Sequence, residues 1–157
     1  ELKKPGMAVG TITIKSSGKR RFHYRLVFRD EDQYLGRKTV IEIRPANSKK
    51  NKFHPDYWDG DKAVYVFVWK RSEKNYWFSD VDLLYYGSKT RLQIDFPFSI
   101  KEDSITYFGN ITINDGDGSV TRNDLFERDM YIIRSKYPNS SWHKYKNGNI
   151  ITEAKGP

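Results

Sequence analysis

Between Arg21 and Arg29 the chain reads RFHYRLVFR, with Phe22, Tyr24, Leu26 and Phe28 at every second position. His23, Arg25 and Val27 occupy the positions between them. A strand points successive side chains to opposite faces, so this alternation describes a strand with one buried face. A helix would scatter the same four apolar side chains around its axis. Any fold for this chain must therefore supply a sheet with an apolar side.

Other runs repeat the signal. Val9 to Lys15 is rich in β-branched residues and is closed by Ser16-Ser17-Gly18, which marks a turn. The first two runs, split by SSGK, are expected to form a hairpin. Thr39 to Arg44 is a third strand, stopped by Pro45. Ala46 to Asp61 is polar and loop-like. Ala63 to Lys70, AVYVFVWK, is apolar on both faces and is expected at the centre of a sheet. Tyr76 to Tyr86 follows, with a bulge expected near Ser79-Asp80. Arg91 to Ile100 contains Pro97, which cannot donate to a ladder and places this strand at an edge or a strand end. Ser104 to Ile113 is the last long strand, and Gly109 marks a bulge within it. Aromatics make up 15% of the chain, a composition that favours strands.

One helix is legible. Phe126, Met130, Ile133 and Tyr137 are spaced as a helical stripe. Asn123 or Asp124 can cap its start, and Pro138 stops it. The expected helix covers about 124–136, and a polar tail covers about 139–157. Trp142, Tyr145, Ile150 and Ile151 are the tail's candidate docking residues. No internal repeat is apparent. The chain's 157 residues suit one domain, 1–157. About seven short strands and one late helix point to a mainly β fold, an antiparallel β-sandwich of Ig-like or transthyretin-like kind.

The chain has no cysteine, which excludes disulfides, thiolate metal sites and a cysteine nucleophile. Its formal charge is +8. Lys19-Arg20-Arg21 and Lys49-Lys50-Lys52 are dense enough to face an acidic partner or an anionic surface. No RNP motif, zinc finger or helix-turn-helix pattern supports a nucleic-acid role.

Thr112 to Phe126, TINDGDGSVTRNDLF, is similar to a calcium loop. With Gly118 at the sharp-turn position, Asp115, Asp117 and Asp124 fall on ligand positions. The first ligand position, however, is Ile113, and the segment before the loop reads as a strand. The preferred reading is a polar turn at Asn114 to Ser119, a short extended piece at Val120 to Arg122, and a helix cap at Asp124. No metal, cofactor or catalytic residue is therefore assigned.

Other chemistry is sparse. His23, His54 and His143 are far apart, and no G-x-S-x-G elbow, H-E-x-x-H motif or phosphate loop accompanies them. Asp80 and Asp82 would share one strand face, but two surface acids balancing nearby cations is the simpler reading. The segment from Phe53 to Gly60 mixes Tyr57 and Trp58 with Asp56 and Asp59, as sugar-binding loops do. The sequons Asn110-Ile111-Thr112 and Asn139-Ser140-Ser141 carry little weight.

From Ser104 to Pro138, an extended YFGNITI is followed by a polar turn and then by DLFERDMYIIRSKYP. Tyr107, Gly109, Ile111, Asp129, Tyr137 and Pro138 carry the pattern. This layout resembles the C-terminal part of small envelope lipoproteins of Gram-negative bacteria, which build a β-sandwich domain. The opening strand, GMAVGTITI, is similar to the first strand of such domains. A Leu-Pro-x-Gly turn typical of that family is replaced here by KRSEKNYWF. The resemblance implies a periplasmic or outer-membrane location, a lipid-bearing cysteine upstream of Glu1, and no enzyme activity. The expected role is binding or structural, toward an envelope protein or an anionic surface. The alternative is a carbohydrate-binding or carbohydrate-active module built on residues 53–60.

Overall fold

The computed structural model describes residues 4–18, 22–32, 38–44, 54–138 and 150–152. Within them the chain forms two packed sheets and one helix. The first sheet contains β1 (Gly6–Lys15), β4 (Tyr57–Asp59), β5 (Lys62–Arg71), β8 (Ile105–Asn114), β9 (Ser119–Asn123) and β10 (Ile150–Thr152). The second contains β2 (His23–Asp30), β3 (Lys38–Ile43), β6 (Lys74–Tyr85) and β7 (Ser88–Ile100). The helix, α1, spans Phe126–Lys136. A mainly β sandwich with one helix late in the chain is the architecture expected from the period-two pattern.

The second sheet runs in the order β3-β2-β6-β7 and is antiparallel throughout. In the first sheet the order is β10-β8-β1-β5-β4. There β1 pairs antiparallel with β5 but parallel with β8, and β10 is also parallel to β8. The outer edge of β8 is shared: Ile105 to Tyr107 pair with β10, and Asn110 to Asn114 pair with β9.

The expected hairpin between the first two runs does not form. β1 lies in the first sheet and β2 in the second, so the chain crosses between layers after Lys15. Alternation is satisfied equally by strands side by side and by strands face to face. Here Ile12 and Ile14 join Tyr24, Leu26 and Phe28 in one core between the sheets. Its centre is aromatic. Phe28, Phe78, Phe98, Phe108 and Trp69 meet with ring centroids 4.9–6.2 Å apart.

Both expected bulges are present. Ser79 is the extra residue of β6, between Phe78 and Asp80. On β8 the register with β1 steps from Tyr107 to Gly109, leaving Phe108 as the extra residue. The Phe108 ring then lies across Gly10, where an added Cβ would stand 2.4 Å from it. β7 is an edge strand, as Pro97 requires. Two short strands were not legible: β4 falls inside the tract read as a loop, and β10 lies in the polar tail. β9 is the short extended piece expected at Val120 to Arg122.

β5 is apolar on both faces because α1 covers the far one. Ala63 and Tyr65 pack in the core between the sheets, whereas Val64 and Val66 pack with Val9, Ile105 and Tyr107 against Met130, Ile132 and Ile133. The molecule thus has three layers over part of its area: helix, first sheet, second sheet. Burying a side chain of this size is worth about 1.5–3 kcal/mol, so the helix contributes a second core and is more than a decoration.

Candidate functional site

Gly10-Thr11-Ile12-Thr13-Ile14 on β1 lies beside Gly109-Asn110-Ile111-Thr112-Ile113 on β8, in parallel register. The two segments share the pattern Gly, polar, Ile, Thr, Ile. Every Ile points into the core between the sheets. By alternation, every Thr and the Asn point to the helix side. β9 extends the pattern, because Asn123 pairs with Asn110 and Thr121 with Thr112. Two cross-strand rows result: Thr11, Asn110, Asn123, and Thr13, Thr112, Thr121.

These side chains are wired to one another. The Asn110 side-chain amide donates to the Thr11 hydroxyl at 2.8 Å and to the Thr13 hydroxyl at 2.7 Å. Thr112 donates its hydroxyl to Asn110 Oδ1 at 2.7 Å. Thr11, Thr13 and Asn110 are buried, and buried polar groups require such partners. Thr121 and Asn123 are exposed, and Thr112 is half-buried.

Asp129 anchors the helix to this network. It has no exposed surface. Its Oδ2 accepts hydrogen bonds from the Thr11 hydroxyl at 2.8 Å and the Tyr107 hydroxyl at 2.5 Å. Arg128 holds Oδ1 at 3.0 Å and reaches Asp59 on the edge strand β4 at 3.1 Å. Burial pushes the Asp129 carboxyl above the usual carboxylate range, although Tyr107, Thr11 and Arg128 oppose the shift. Burial beside this carboxylate pushes the Tyr107 phenol up as well. The Tyr107 oxygen also accepts the Leu125 amide at 3.2 Å. One phenol thus ties β8 to the start of α1.

α1 covers only part of the first sheet. Beyond its first turn the polar rows open into a cavity of about 490 Å³. Thr13, Asn110 and Thr112 lie on its sheet side, and Thr121 and Asn123 on its β9 side. Asp59, Lys62 and Arg128 form the opposite rim, and Asp124 and Leu125 close it at the start of α1. That volume lies within the range of about 300–1,000 Å³ common for small-molecule sites.

Of the sequence-proposed residues, Asp59 and Asp124 line this cavity and the others fall elsewhere. The three calcium-loop acids are employed separately. Asp115 is buried and accepts from the Ser17 amide at 2.7 Å and the Tyr24 hydroxyl at 2.5 Å. Asp117 is exposed and accepts the Ser119 amide at 2.8 Å; the Ser119 hydroxyl first, and then this amide, hold its carboxyl below the usual range. Asp124 accepts the Phe126 amide at 3.1 Å. The helix N-cap position itself is Leu125, so Asp124 serves the first helical amide from one residue upstream. Asn114 to Ser119 is a hairpin turn between β8 and β9, and of its two glycines only Gly118 adopts positive φ, 72°. Among the described residues no group of three His, Asp or Glu side chains could hold a metal ion.

Asp80 and Asp82 do share the outward face of β6, and each has an arginine partner. Arg91 grips Asp82 at 2.9 and 3.2 Å and holds its carboxyl low, while Arg29 lies 3.9 Å from Asp80. In the 53–60 segment, Phe53 lies outside the described residues. Trp58 is 59% exposed and Tyr57 39%. Trp58 pairs with Ala63 and Asp59 with Lys62, so Trp58 and Asp59 point to opposite faces of β4. Asp56 is structural: it accepts the Val66 amide and pairs with Lys136 at 2.9 Å. Asn110 is only 1% exposed, which closes its sequon to modification. Lys19 to Arg21, Lys49 to Lys52, Asn139 to Ser141, Trp142, His143 and Tyr145 lie outside the described residues.

The polar rows escaped the sequence reading, yet a signal was present. GTITI and GNITI, nearly a hundred residues apart, are the same five-residue pattern. Among the described residues no helix is long and apolar enough to cross a membrane. No protein-family model and no curated protein matches the chain. Among solved structures, a leucine-rich repeat protein from Bacteroides thetaiotaomicron VPI-5482 is similar over 73% of this chain at 9% identity, with a TM-score of 0.40. The chain spans 14% of that protein's length. A likeness of that depth assigns no function.

Proposed function

We propose that this chain is a non-enzymatic binding domain working at the cell envelope of a Gram-negative bacterium. The envelope setting follows from the resemblance of Ser104 to Pro138 to envelope lipoproteins. A lipid anchor upstream of Glu1 belongs to the same proposal. The binding role rests on one observation: beside α1 the first sheet leaves Thr112, Thr121 and Asn123 accessible in a cavity, over a buried, hydrogen-bonded floor of Thr13 and Asn110. A non-enzymatic role is supported by the state of the carboxylates. Asp129 is sealed with both oxygens engaged, and Asp82 is clamped by Arg91. A general acid or base must reach a substrate proton within hydrogen-bond distance.

Co-sedimentation tests this reading. The purified chain is spun with isolated peptidoglycan, with outer-membrane vesicles and with anionic-lipid vesicles. Retention on one of these is the expected result, and a chain that stays in the supernatant with all three overturns it.

A second reading, a carbohydrate-binding module using the 53–60 segment, is favoured by the exposure of Trp58 and Tyr57 on the edge strand. Aromatic side chains with one wet face are common anchors for ligands. Loss of sedimentation in Trp58→Ala would support it.

A further inference from the structure

We infer that the cavity beside α1 takes a single neutral, hydroxyl-rich ring, of the size and chemistry of one pyranose unit of a glycan. The inference rests on the binding-domain reading and names the ligand class of that site.

Charge comes first. Arg128 is committed twice, to Asp129 at 3.0 Å and to Asp59 at 3.1 Å. Asp124 already accepts the Phe126 amide. An anion drawn to Arg128 would compete with two carboxylates, one of them fully buried, and one drawn to Lys62 would meet Asp59 and Asp124 on the same rim. The rim carries two cations, Lys62 and Arg128, and two carboxylates, Asp59 and Asp124. Its charges balance, so neither sign of ligand is favoured.

Neutral hydrogen-bonding capacity remains. Thr112 spends its hydroxyl hydrogen on Asn110 Oδ1, which leaves its oxygen able to accept from a ligand hydroxyl. Thr13 lies buried beneath, its oxygen accepting from the Asn110 amide, and belongs to the floor. Thr121 and Asn123, both exposed, add a second hydroxyl donor–acceptor and an amide. Donors and acceptors alternate within two adjacent strand rows. A ligand that matches them must itself carry several closely spaced hydroxyls. The floor is also fixed in advance, because Asn110 locks Thr11, Thr13 and Thr112 together, so little order is lost on binding. Trp58 points to the other face of β4 and lies outside this cavity.

The test is an amide-resolved NMR titration of the full chain. The probes are the methyl glycosides of glucose, galactose, mannose and N-acetylglucosamine, with inorganic phosphate and glucuronate as anionic controls. The expected result is a saturable shift of the Thr13, Thr112, Thr121 and Asn123 amides with at least one neutral glycoside. In Thr121→Val/Asn123→Ala, whose sites are exposed, the affinity should fall at least tenfold. Trp58→Ala should leave it unchanged. Shifts with phosphate or glucuronate alone would overturn the proposal by making this an anion site. Silence of the cavity amides to every probe would overturn it too. Should the chain sediment with an envelope fraction while these amides stay silent, the binding-domain reading stands and the cavity assignment fails. Glycoside shifts confined to the neighbourhood of Trp58 would have the same meaning.

Discussion

Across the outward face of the second sheet, Glu42, Arg25, Asp82 and Arg91 stand in one row over β3, β2, β6 and β7. Each charge sits beside its opposite, with Arg25 and Glu42 3.1 Å apart and Arg91 and Asp82 2.9 Å apart. On the helix side of the first sheet the corresponding row is Thr13, Thr112 and Thr121, with no charge in it. Both rows are polar sheet faces, and both come from alternation in the sequence. The charged row is spent: Asp82 is taken by Arg91, and Glu42 by Arg25 and, more tightly, by Arg44 at 2.6 Å. The hydroxyl row is wired on one side and open on the other, because a hydroxyl that donates once can still accept. Polarity alone does not mark a site; unspent hydrogen-bonding capacity over an ordered floor does.

The comparison is most severely tested at its anchor. Asp129→Ala strips a carboxylate from Thr11, Tyr107 and Arg128 at once, leaving a buried hydroxyl and a buried phenol without their acceptor and Arg128 with Asp59 alone. It should cost about 3–5 kcal/mol in urea unfolding. On the other face, Arg91→Ala leaves the Asp82 carboxylate buried with only the charges of Lys89 and Arg25 nearby. A loss of about 1–3 kcal/mol is expected from the same measurement. Gly10→Ala probes the seam between GTITI and GNITI. Its methyl group would collide with the Phe108 ring and the Gly109 carbonyl, and overpacking of this kind costs about 1–3 kcal/mol.

Acid should act on the two faces with opposite sign. The Asp129 carboxyl is raised in the folded chain, so the folded state binds the proton first. Between its raised folded value and the ordinary carboxylate value, lowering the pH should stabilise the native chain relative to Asp129→Asn. The Asp82 carboxyl is lowered, so its contribution is full above the ordinary carboxylate value and is lost as pH falls through the folded one. Stability curves of Asp129→Asn and Asp82→Asn against pH, each subtracted from wild type, should therefore slope in opposite directions. Parallel slopes would mean that the two carboxylates sit in equivalent surroundings.

Much of the scaffold was legible. Phe22 to Phe28, Pro97, Ser79 and Gly109 each declared a strand face, an edge or a bulge through local geometry. The partners of each strand were not, because alternation fixes which face is buried and leaves open which sheet a strand joins. Hence β1 was expected beside β2 and lies instead between β5 and β8. The calcium-like spacing misled for a related reason. Asp115, Asp117 and Asp124 are close in sequence, but a hairpin turn sends Asp115 inward to Tyr24 and leaves Asp117 in solvent. The candidate site was hidden because its residues come from β1, β8, β9, the β4–β5 edge and α1. Only the shared GTITI and GNITI pattern and the acid beside Met130 hinted at it.

The most direct test of the central claim is the unfolding free energy of Thr121→Val/Asn123→Ala, measured in urea beside wild type. If the open row is held for a ligand and not for the fold, stability should stay within about 0.5 kcal/mol, as for surface substitutions elsewhere. A loss of about 2 kcal/mol or more would contradict the account, since these side chains would then be part of what holds the sheet together.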